Sequence, residues 1–465
     1  MLLPIDPWFT SAVAADVWSA SRADAQALAT RQSHRLTALL AAAAKGSRLY
    51  RETLGRATDH SDVRLQDLPV ARKRELMSHF DDWVTDPALK LDEIKRFTKD
   101  SQRIGEPYLG RYIVWESSGS TGEPGIFVQD RHAMGVYDAL EGVRRPAPTL
   151  WHRLMDPWLM SERIVFVGAI GGHFASVVSM ERLRRLSPTL APRLHCVSFL
   201  RPLDELLDEV QQLRPTVLAS YPSAALLLAQ AQTEGRLKLN LREVWTGGET
   251  LTPAMRRGIE RGFDCQVRNS YGASEFLPMA GECSQGHLHL NSDWFILEPV
   301  DEHGKPVPPG RASATTLLTN LANHVQPLIR YDLGDQVMLS ATPCACGSHL
   351  PVVDIQGRRD DTLRLAGHGR KRIPVLPLAI STVLEEDAGL FDFQLRQQGP
   401  RELLLCTSHS GAEATQQLRV ARHALETFLT AQGVPEVHIH CRSGQPGLRG
   451  RSGKVLRVLV EHGHE

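Results

Sequence analysis

Three groups of residues in this chain have types and spacings suited to chemistry. The first is Ser117-Ser118-Gly119-Ser120-Thr121-Gly122-Glu123-Pro124, in which six of eight residues are Ser, Thr or Gly. Glycines let a backbone approach an anion closely, N–H groups in a turn form a concave donor surface, and short hydroxyls add donors without bulk. Such a loop can hold phosphate, but it lacks the Gly-Lys-Ser/Thr ending of a Walker loop and by itself is as readily a plain turn. The second group is Cys344-Ala345-Cys346. With Cys283 and either His287 or His289 it supplies three thiols and an imidazole, the inventory of a closed tetrahedral Zn²⁺ site. His289 is preferred because it and Cys283 bracket a hairpin; free thiols in a turn are the alternative. The third is Lys454, which ends Arg449-Gly450-Arg451-Ser452-Gly453-Lys454, a glycine-containing loop able to carry a point charge into a site built elsewhere. Without context it is one surface lysine among many.

A chain of 465 residues is long for one domain and predicts two or three units. Lys+Arg and Asp+Glu both number 53, so no global basic field favours nucleic acid, while a local basic site for a nucleotide stays open. The basic run Arg72-Lys73-Arg74 is followed closely by Asp81, Asp82 and Asp86 and reads as a solvated helix face. The N-terminus lacks the charged and apolar regions of a signal peptide, and no uninterrupted apolar span of about 20 residues occurs, so a soluble, cytoplasmic protein without membrane contact is expected. Seven cysteines, odd in number and sparsely spread, suit a reducing compartment. Cys196, Cys265, Cys406 and Cys441 lie in or beside apolar runs and are expected in the core.

The elements that must position these groups follow from periodicity. Leu28, Leu36, Leu39, Leu40 and Ala43 predict a helix from Asp24, as N-cap, to about Lys45, with Gly46 as C-cap. Tyr112–Trp115 and Arg163–Val167 read as strands; helices led by Leu203 and Ala224 then alternate with strands at Thr216–Ala219 and Val244–Trp245. That alternation predicts α/β layers with mostly parallel strands, whose ligand loops collect at the strands' carboxyl ends, and places the 117–122 loop and the Gly247-Gly248 turn just after such strands. Short strands parted by turns between residues 288 and 339 predict an antiparallel β subdomain packed on those layers. Beyond Gly357 the chain restarts as a small α+β unit, with a helix at Pro377–Glu386, strands at Phe391–Leu395, Leu403–Cys406 and Val437–Cys441, and a helix at Ala414–Leu429. The fold class is α/β, divided into residues 1–357 and 358–465.

Further motifs follow the Ser/Gly loop in a fixed order: Thr246-Gly247-Gly248-Glu249, Tyr271-Gly272-Ala273-Ser274-Glu275, Arg330-Tyr331-Asp332-Leu333-Gly334-Asp335, Gly357-Arg358-Arg359-Asp360-Asp361 and Gly453-Lys454-Val455-Leu456-Arg457. The series resembles the adenylate-forming superfamily of acyl-CoA synthetases, peptide-synthetase adenylation domains and luciferases, and within it the phenylacetate-CoA ligase branch. The resemblance covers most of the chain, including the short N-terminal segment and the Cys344-Ala345-Cys346-Gly347 element. It implies a large N-terminal adenylation domain and a small mobile C-terminal domain. It further implies that Ser117, Ser118, Gly119, Ser120, Thr121 and Gly122 hold the β- and γ-phosphates of ATP; that Gly247, Gly248 and Glu249 line the adenine pocket; and that Tyr271, followed by Gly272, stacks on adenine. Glu275 would coordinate Mg²⁺, Asp335 would bind both ribose hydroxyls, Arg358 would contact the nucleotide, Asp360 would be the hinge, and Lys454 would be the catalytic lysine bridging carboxylate and α-phosphate. Cys283, His289, Cys344 and Cys346 would hold structural Zn²⁺. Glu123 stands where the family usually has Lys, and Asp332 where relatives often have Arg, so no role is carried onto either. His173, after a double glycine, falls where the family builds its acid pocket and reads equally as a satisfied polar residue.

The function so implied is ATP-dependent adenylation of a carboxylic acid, aromatic by resemblance, with transfer of the acyl group to coenzyme A. A homodimer is a further expectation. Two alternatives stay open: transfer to another acceptor, such as a carrier-protein thiol in trans, an amine or a partner reductase, and a non-catalytic nucleotide-binding protein of the same fold.

Overall fold

The computed structural model describes residues 7–55, 63–117, 124–144, 161–249, 251, 253–355, 363–367, 372–375, 379–380, 383–384, 387–390, 392–445 and 458–460. Ser118 to Glu123, Arg358, Asp360 and Lys454 therefore lie outside the described residues, as does most of the expected helix at Pro377–Glu386. The architecture is mixed α/β, centred on a nine-stranded sheet. Leu194–Ser198, Ile164–Gly168, Val217–Ser220, Glu243–Thr246 and Gln266–Ala273 are its parallel half. The central strands Ile164–Gly168 and Val217–Ser220 are nearly continuous apolar runs, as strands covered on both faces must be, and helices such as Leu203–Leu213 and Pro222–Thr233 connect the parallel strands. Val165, Val167, Leu218 and Val244 are fully buried there.

At Gln266–Ala273 the sheet changes direction. Phe276–Glu282, Leu288–Leu290, Val352–Ile355 and Val337–Leu339 continue it antiparallel. The antiparallel strands are thus partly an extension of the main sheet and partly a separate three-stranded sheet of Phe295–Val300, Thr315–Asn320 and Tyr331–Asp332. The third strand of that sheet begins later than its apolar run suggests: Arg330 takes a left-handed φ of 49°, which breaks the extended backbone before Tyr331.

The strand before the Ser/Gly loop corrects the sequence reading. Ile113–Glu116 is outside the parallel sheet and pairs antiparallel with Ile126–Gln129 in a separate two-stranded sheet. An apolar run announces a strand but not its partner, and here the two strands together bury every residue except Glu116. Asp24 caps its helix as expected, accepting a 2.8 Å bond from Ala27 N–H, but the C-cap is Ser47 rather than Gly46. Ser47 also caps the next helix, Arg48–Leu54, which explains a hydroxyl at a helix end. A helix not anticipated, Pro7–Ala20, precedes it.

In the C-terminal unit, Gln394–Gln397 and Glu402–Cys406 pair antiparallel and are flanked in parallel by Val458–Val460 and His438–Arg442, with the helix Ala412–Ala431 against them. Its apolar side chains join those of the parallel half in one cluster, and the Gln432 amide donates to Arg201 O at 2.7 Å. Cys406 is buried as expected; Cys441 is exposed, because it lies on an edge strand. Among the described residues, no helix is long and apolar enough to cross a membrane.

Candidate active site and thiol cluster

The parallel-to-antiparallel switch assembles the expected nucleotide residues. Glu243–Thr246 delivers Gly247 and Gly248 at its carboxyl end. Both glycines are required. A Cβ on Gly247 would meet Ser270 Oγ at 2.8 Å, and Gly248 has φ +80° with Tyr221 3.0 Å from where its Cβ would be. Ser270 Oγ donates to Thr246 O at 3.0 Å and Thr246 Oγ1 bonds Asn269 Oδ1 at 3.0 Å, locking this turn to the neighbouring strand. Tyr221, missed from sequence, supports the turn from below, packed edge-on to Phe166 and Phe199. Its burial and the nearby Glu249 carboxylate both push its phenol upward, so it stays neutral.

Tyr271 lies within the strand Gln266–Ala273, not in a turn, and its hydroxyl donates to Asp335 Oδ2 at 2.8 Å. This bond joins positions 64 residues apart in sequence, both largely buried. Asp335 is delivered by a tight turn: Asp332 Oδ1 accepts from Gly334 N–H at 2.9 Å and from Thr315 Oγ1 at 2.6 Å, and Gly334 has φ +67°. Asp332 therefore has a visible task, shaping the loop that presents Asp335. Gly272 lets the hairpin close, since a Cβ there would lie 1.9 Å from Leu277 O. Glu275 follows at the reversal, half-buried, with its carbonyl accepting from Asn320 Nδ2 at 3.0 Å.

The strand pair Ile113–Glu116 and Ile126–Gln129 is fastened to this group. Trp115 Nε1–H donates to Ser274 O at 2.8 Å, a contact no motif announces. Ser117 N–H donates to Gly125 O and Gly125 N–H to Ser117 Oγ, both at 2.8 Å, so Ser117 closes the base of the loop. His173 is buried with its ring 5.4 Å from Phe97, and burial pushes its pKa down. Its carbonyl accepts from Glu116 N–H at 2.7 Å, so its main chain anchors the strand pair.

The thiol cluster forms at the other end of the antiparallel strands. The ligand atoms of Cys283, His289, Cys344 and Cys346 all lie within 4.8 Å of one another. Cys283 Sγ is 3.9 Å from Cys344 Sγ, and Cys346 Sγ 3.3 Å from His289 Nε2. His289 Nδ1 is 2.8 Å from Leu350 O. A carbonyl can only accept, so Nδ1 carries the proton and Nε2 presents its lone pair to the thiols, the tautomer a metal requires. Both cysteine segments turn through a left-handed glycine, Gly286 at +78° and Gly347 at +83°. The Cys346 main-chain N–H, with His287 Nδ1 3.3 Å away, holds the Cys344 thiol down to about 6. Three thiols and one correctly oriented imidazole fit a tetrahedral Zn²⁺. His287 stands beside Cys344, outside that set of four.

Residues 189–313 match the family described as AMP-binding enzyme, a range that holds Gly247–Glu249 and Tyr271–Glu275. Over 371 residues the chain is 27% identical to a phenylacetate-coenzyme A ligase of Thermus thermophilus, covering 76% of this chain and 74% of that protein. Two solved structures of 2-hydroxyisobutyryl-CoA ligase share the fold. One, in complex with 2-HIB-AMP and CoA, has a TM-score of 0.56 at 19% identity and covers 95% of this chain and 91% of that one. The other, in the postadenylation state, has a TM-score of 0.52 at 20% identity with the same coverage. By motif order, site assembly and these likenesses, the chain is similar to the adenylate-forming enzymes and, among them, to phenylacetate-coenzyme A ligase.

Proposed function

We propose that this protein joins a carboxylic acid to coenzyme A in two steps driven by ATP. In the first, a carboxylate oxygen of the acid attacks the α-phosphorus; the bond to the β-phosphate breaks, pyrophosphate leaves and an acyl-adenylate forms. In the second, the coenzyme A thiolate attacks the acyl carbon and AMP departs. The observation that carries this reading is the Tyr271 hydroxyl on the Asp335 carboxylate beside the Gly247-Gly248 turn, because it gathers three separate motifs into one place.

Each residue then has a task. Asp335 accepts from the ribose hydroxyls, one carboxylate taking two donors, with Tyr271 fixing its orientation. Gly247, Gly248 and Glu249 line the adenine side, and the Tyr271 ring bounds it. That ring is 9% exposed, so orienting Asp335 is its better supported task. Ser117 to Gly122 cradle the phosphates. Mg²⁺, held at the Glu275 carboxylate, would offset the negative charge of the phosphates. Lys454 stabilises charge between the attacking carboxylate and the α-phosphate, Arg358 contacts the nucleotide, and rotation of the C-terminal unit about Asp360 withdraws Lys454 so that a thiol can enter.

The acid is aromatic, a reading supported by likeness to the Thermus phenylacetate-coenzyme A ligase. Zn²⁺ held by Cys283, His289, Cys344 and Cys346 is structural, supported by the closed ligand set. The protein works in the cytoplasm, where those thiols stay reduced. The test is pyrophosphate release from ATP and Mg²⁺ across a panel of aryl and alkyl acids, with and without coenzyme A. Release with aryl acids, and acyl-CoA formed only when coenzyme A is added, is expected. ATP binding without turnover on any acid would leave a nucleotide-binding protein instead.

A further inference from the structure

A groove of about 820 Å³ opens between the segment 93–110 and the end of the helix Ala175–Leu186, and none of its lining residues belongs to the Gly247, Tyr271 and Asp335 group. Phe97 and Tyr108, both largely buried, form its base, and the exposed side chains of Arg96, Arg103 and Arg185 stand around it. The Arg103 guanidinium lies over the Phe97 ring, Cζ 4.2 Å from its centroid, and Tyr108 meets the same ring edge-on at 5.2 Å. The base is aromatic and the rim cationic.

Backbone geometry sets this shape. The helix Leu91–Thr98 buries Ile94, Phe97 and Thr98 and leaves Arg96 exposed. Asp100 then caps the turn Ser101–Arg103, accepting from Gln102 N–H at 3.0 Å. Gly105, at φ +75°, lets the chain touch the facing helix, since a Cβ there would lie 2.7 Å from Glu181 Cβ. Tyr108 and Tyr112 close the loop with reciprocal backbone bonds of 2.7 and 3.0 Å, around Leu109 and Gly110 at positive φ. Leu109 is left 50% exposed on the groove's lip.

Stability does not explain why three arginines converge here. A helix's carboxyl end favours a cation, which accounts for Arg96 and Arg185 singly but not for Arg103 or for their meeting at one groove. Glu106 is shared by Arg103 at 3.3 Å and Arg185 at 3.4 Å, and exposed pairs of this kind contribute little to stability. One carboxylate cannot take up the donors of two guanidinium groups with five N–H each. Glu93 also lines the groove and accepts from the Tyr108 hydroxyl at 3.4 Å, so three cations face two carboxylates.

The geometry points to this groove as a second nucleotide site, one that takes a nucleoside carrying two phosphate groups. A planar base stacks on the Arg103 and Phe97 pair, and the phosphates take bidentate bonds from the forked guanidinium groups of Arg96 and Arg185. Glu106 competes for the same donors and so limits affinity. Coenzyme A, through its 3′-phosphate and 5′-diphosphate, and a free bisphosphate nucleotide offer the same chemistry. The inference goes beyond the adenylation reading and needs no reaction.

The experiment is calorimetric titration of the full chain with adenosine 3′,5′-bisphosphate, for wild type, Arg96→Gln, Arg185→Gln, Glu106→Gln and Asp335→Ala, with melting temperatures measured alongside. Wild type should bind one equivalent. Arg96→Gln and Arg185→Gln should each raise the Kd roughly tenfold, as loss of a hydrogen-bonded charge does, while Glu106→Gln should lower it severalfold by removing the competing carboxylate. Asp335→Ala should leave bisphosphate binding unchanged. A merely structural cluster would show no gain in Glu106→Gln. No binding at millimolar bisphosphate, a Kd indifferent to both arginine variants, weaker binding in Glu106→Gln, or loss of binding in Asp335→Ala would each overturn the proposal. Displacement of the bisphosphate by coenzyme A, and less well by dephospho-coenzyme A, supports it with coenzyme A as the source, whereas bisphosphate that coenzyme A does not displace supports it with a free nucleotide. Bisphosphate bound by a wild type that releases no pyrophosphate with any acid would remove the adenylation reading and leave this site standing.

Discussion

Glu275 and Cys283 stand at opposite ends of one strand, Phe276–Glu282, and the two regions they head are built on different terms. At roughly 3.4 Å per residue they are separated by about 27 Å. At the Glu275 end the described groups come from separate segments, at Gly247-Gly248, Tyr271 and Asp335, and the remaining proposed contributors are the loop at 118–123, Arg358 and Lys454. At the Cys283 end two glycine turns bring four ligand atoms together, and every proposed ligand is already in place. The first arrangement suits a site that assembles around a substrate and changes between steps. The second suits a fastening that is made once. Val337–Leu339 lies between Asp335 and Cys344, so the fastened end steadies the strands that carry the working end.

The contrast is broken most sharply at Lys454. Lys454→Ala should cut acyl-adenylate formation by about 10² to 10³-fold, the usual cost of removing one preorganised charge-stabilising group, while ATP binding measured by calorimetry persists. Unchanged adenylation would sink the assignment. At the other pole, Cys344→Ser or chelation should lower the melting temperature by several degrees and abolish the expected one-to-one zinc in metal analysis, yet leave turnover at low temperature close to wild type. Equal loss of turnover and stability would show that the two ends are not separable.

Smaller changes sharpen the account. Asp335→Ala removes a buried carboxylate and leaves the Tyr271 hydroxyl without its acceptor. The KM for ATP should rise on the order of 10²-fold, since hydrogen bonds to charged groups each contribute about 1.5–3 kcal/mol. Tyr271→Phe keeps the ring and the carboxylate and removes only the bond that orients it, so a smaller rise, of roughly tenfold, is expected. If Tyr271→Phe matched Asp335→Ala, the tyrosine would be acting on the nucleotide by more than orientation.

Much of this contrast was legible in the sequence, and the exceptions have a common cause. Gly247, Gly248 and Gly272 stood out through the motif series they belong to, and the structure supplies the physical reason, a left-handed φ or a close approach that only glycine tolerates. Cys283, Cys344 and Cys346 did so because three thiols and a histidine have few other uses in combination. What could not be read was partnership. Tyr112–Trp115 showed that a strand was there, not that it pairs with Ile126–Gln129 outside the main sheet. Asn320, Asn323 and Gln326 look like ordinary turn residues, and nothing local reveals that they are buried or whom they bond. Trp115 and Tyr221 read as plain core aromatics, although one ties the strand pair to Ser274 and the other carries Gly248. The exposed Cys441 was misread for the same reason, since an apolar run does not say whether its strand lies at an edge.

The measurement that bears most directly on the central claim is the identity of the products when the purified protein is given ATP, Mg²⁺ and an accepted aryl acid with coenzyme A withheld. Pyrophosphate released in a single burst, with acyl-adenylate retained on the protein and converted to acyl-CoA and AMP when coenzyme A is added, is the predicted result. ADP and inorganic phosphate, or acyl-CoA formed with no adenylate on the way, would contradict it.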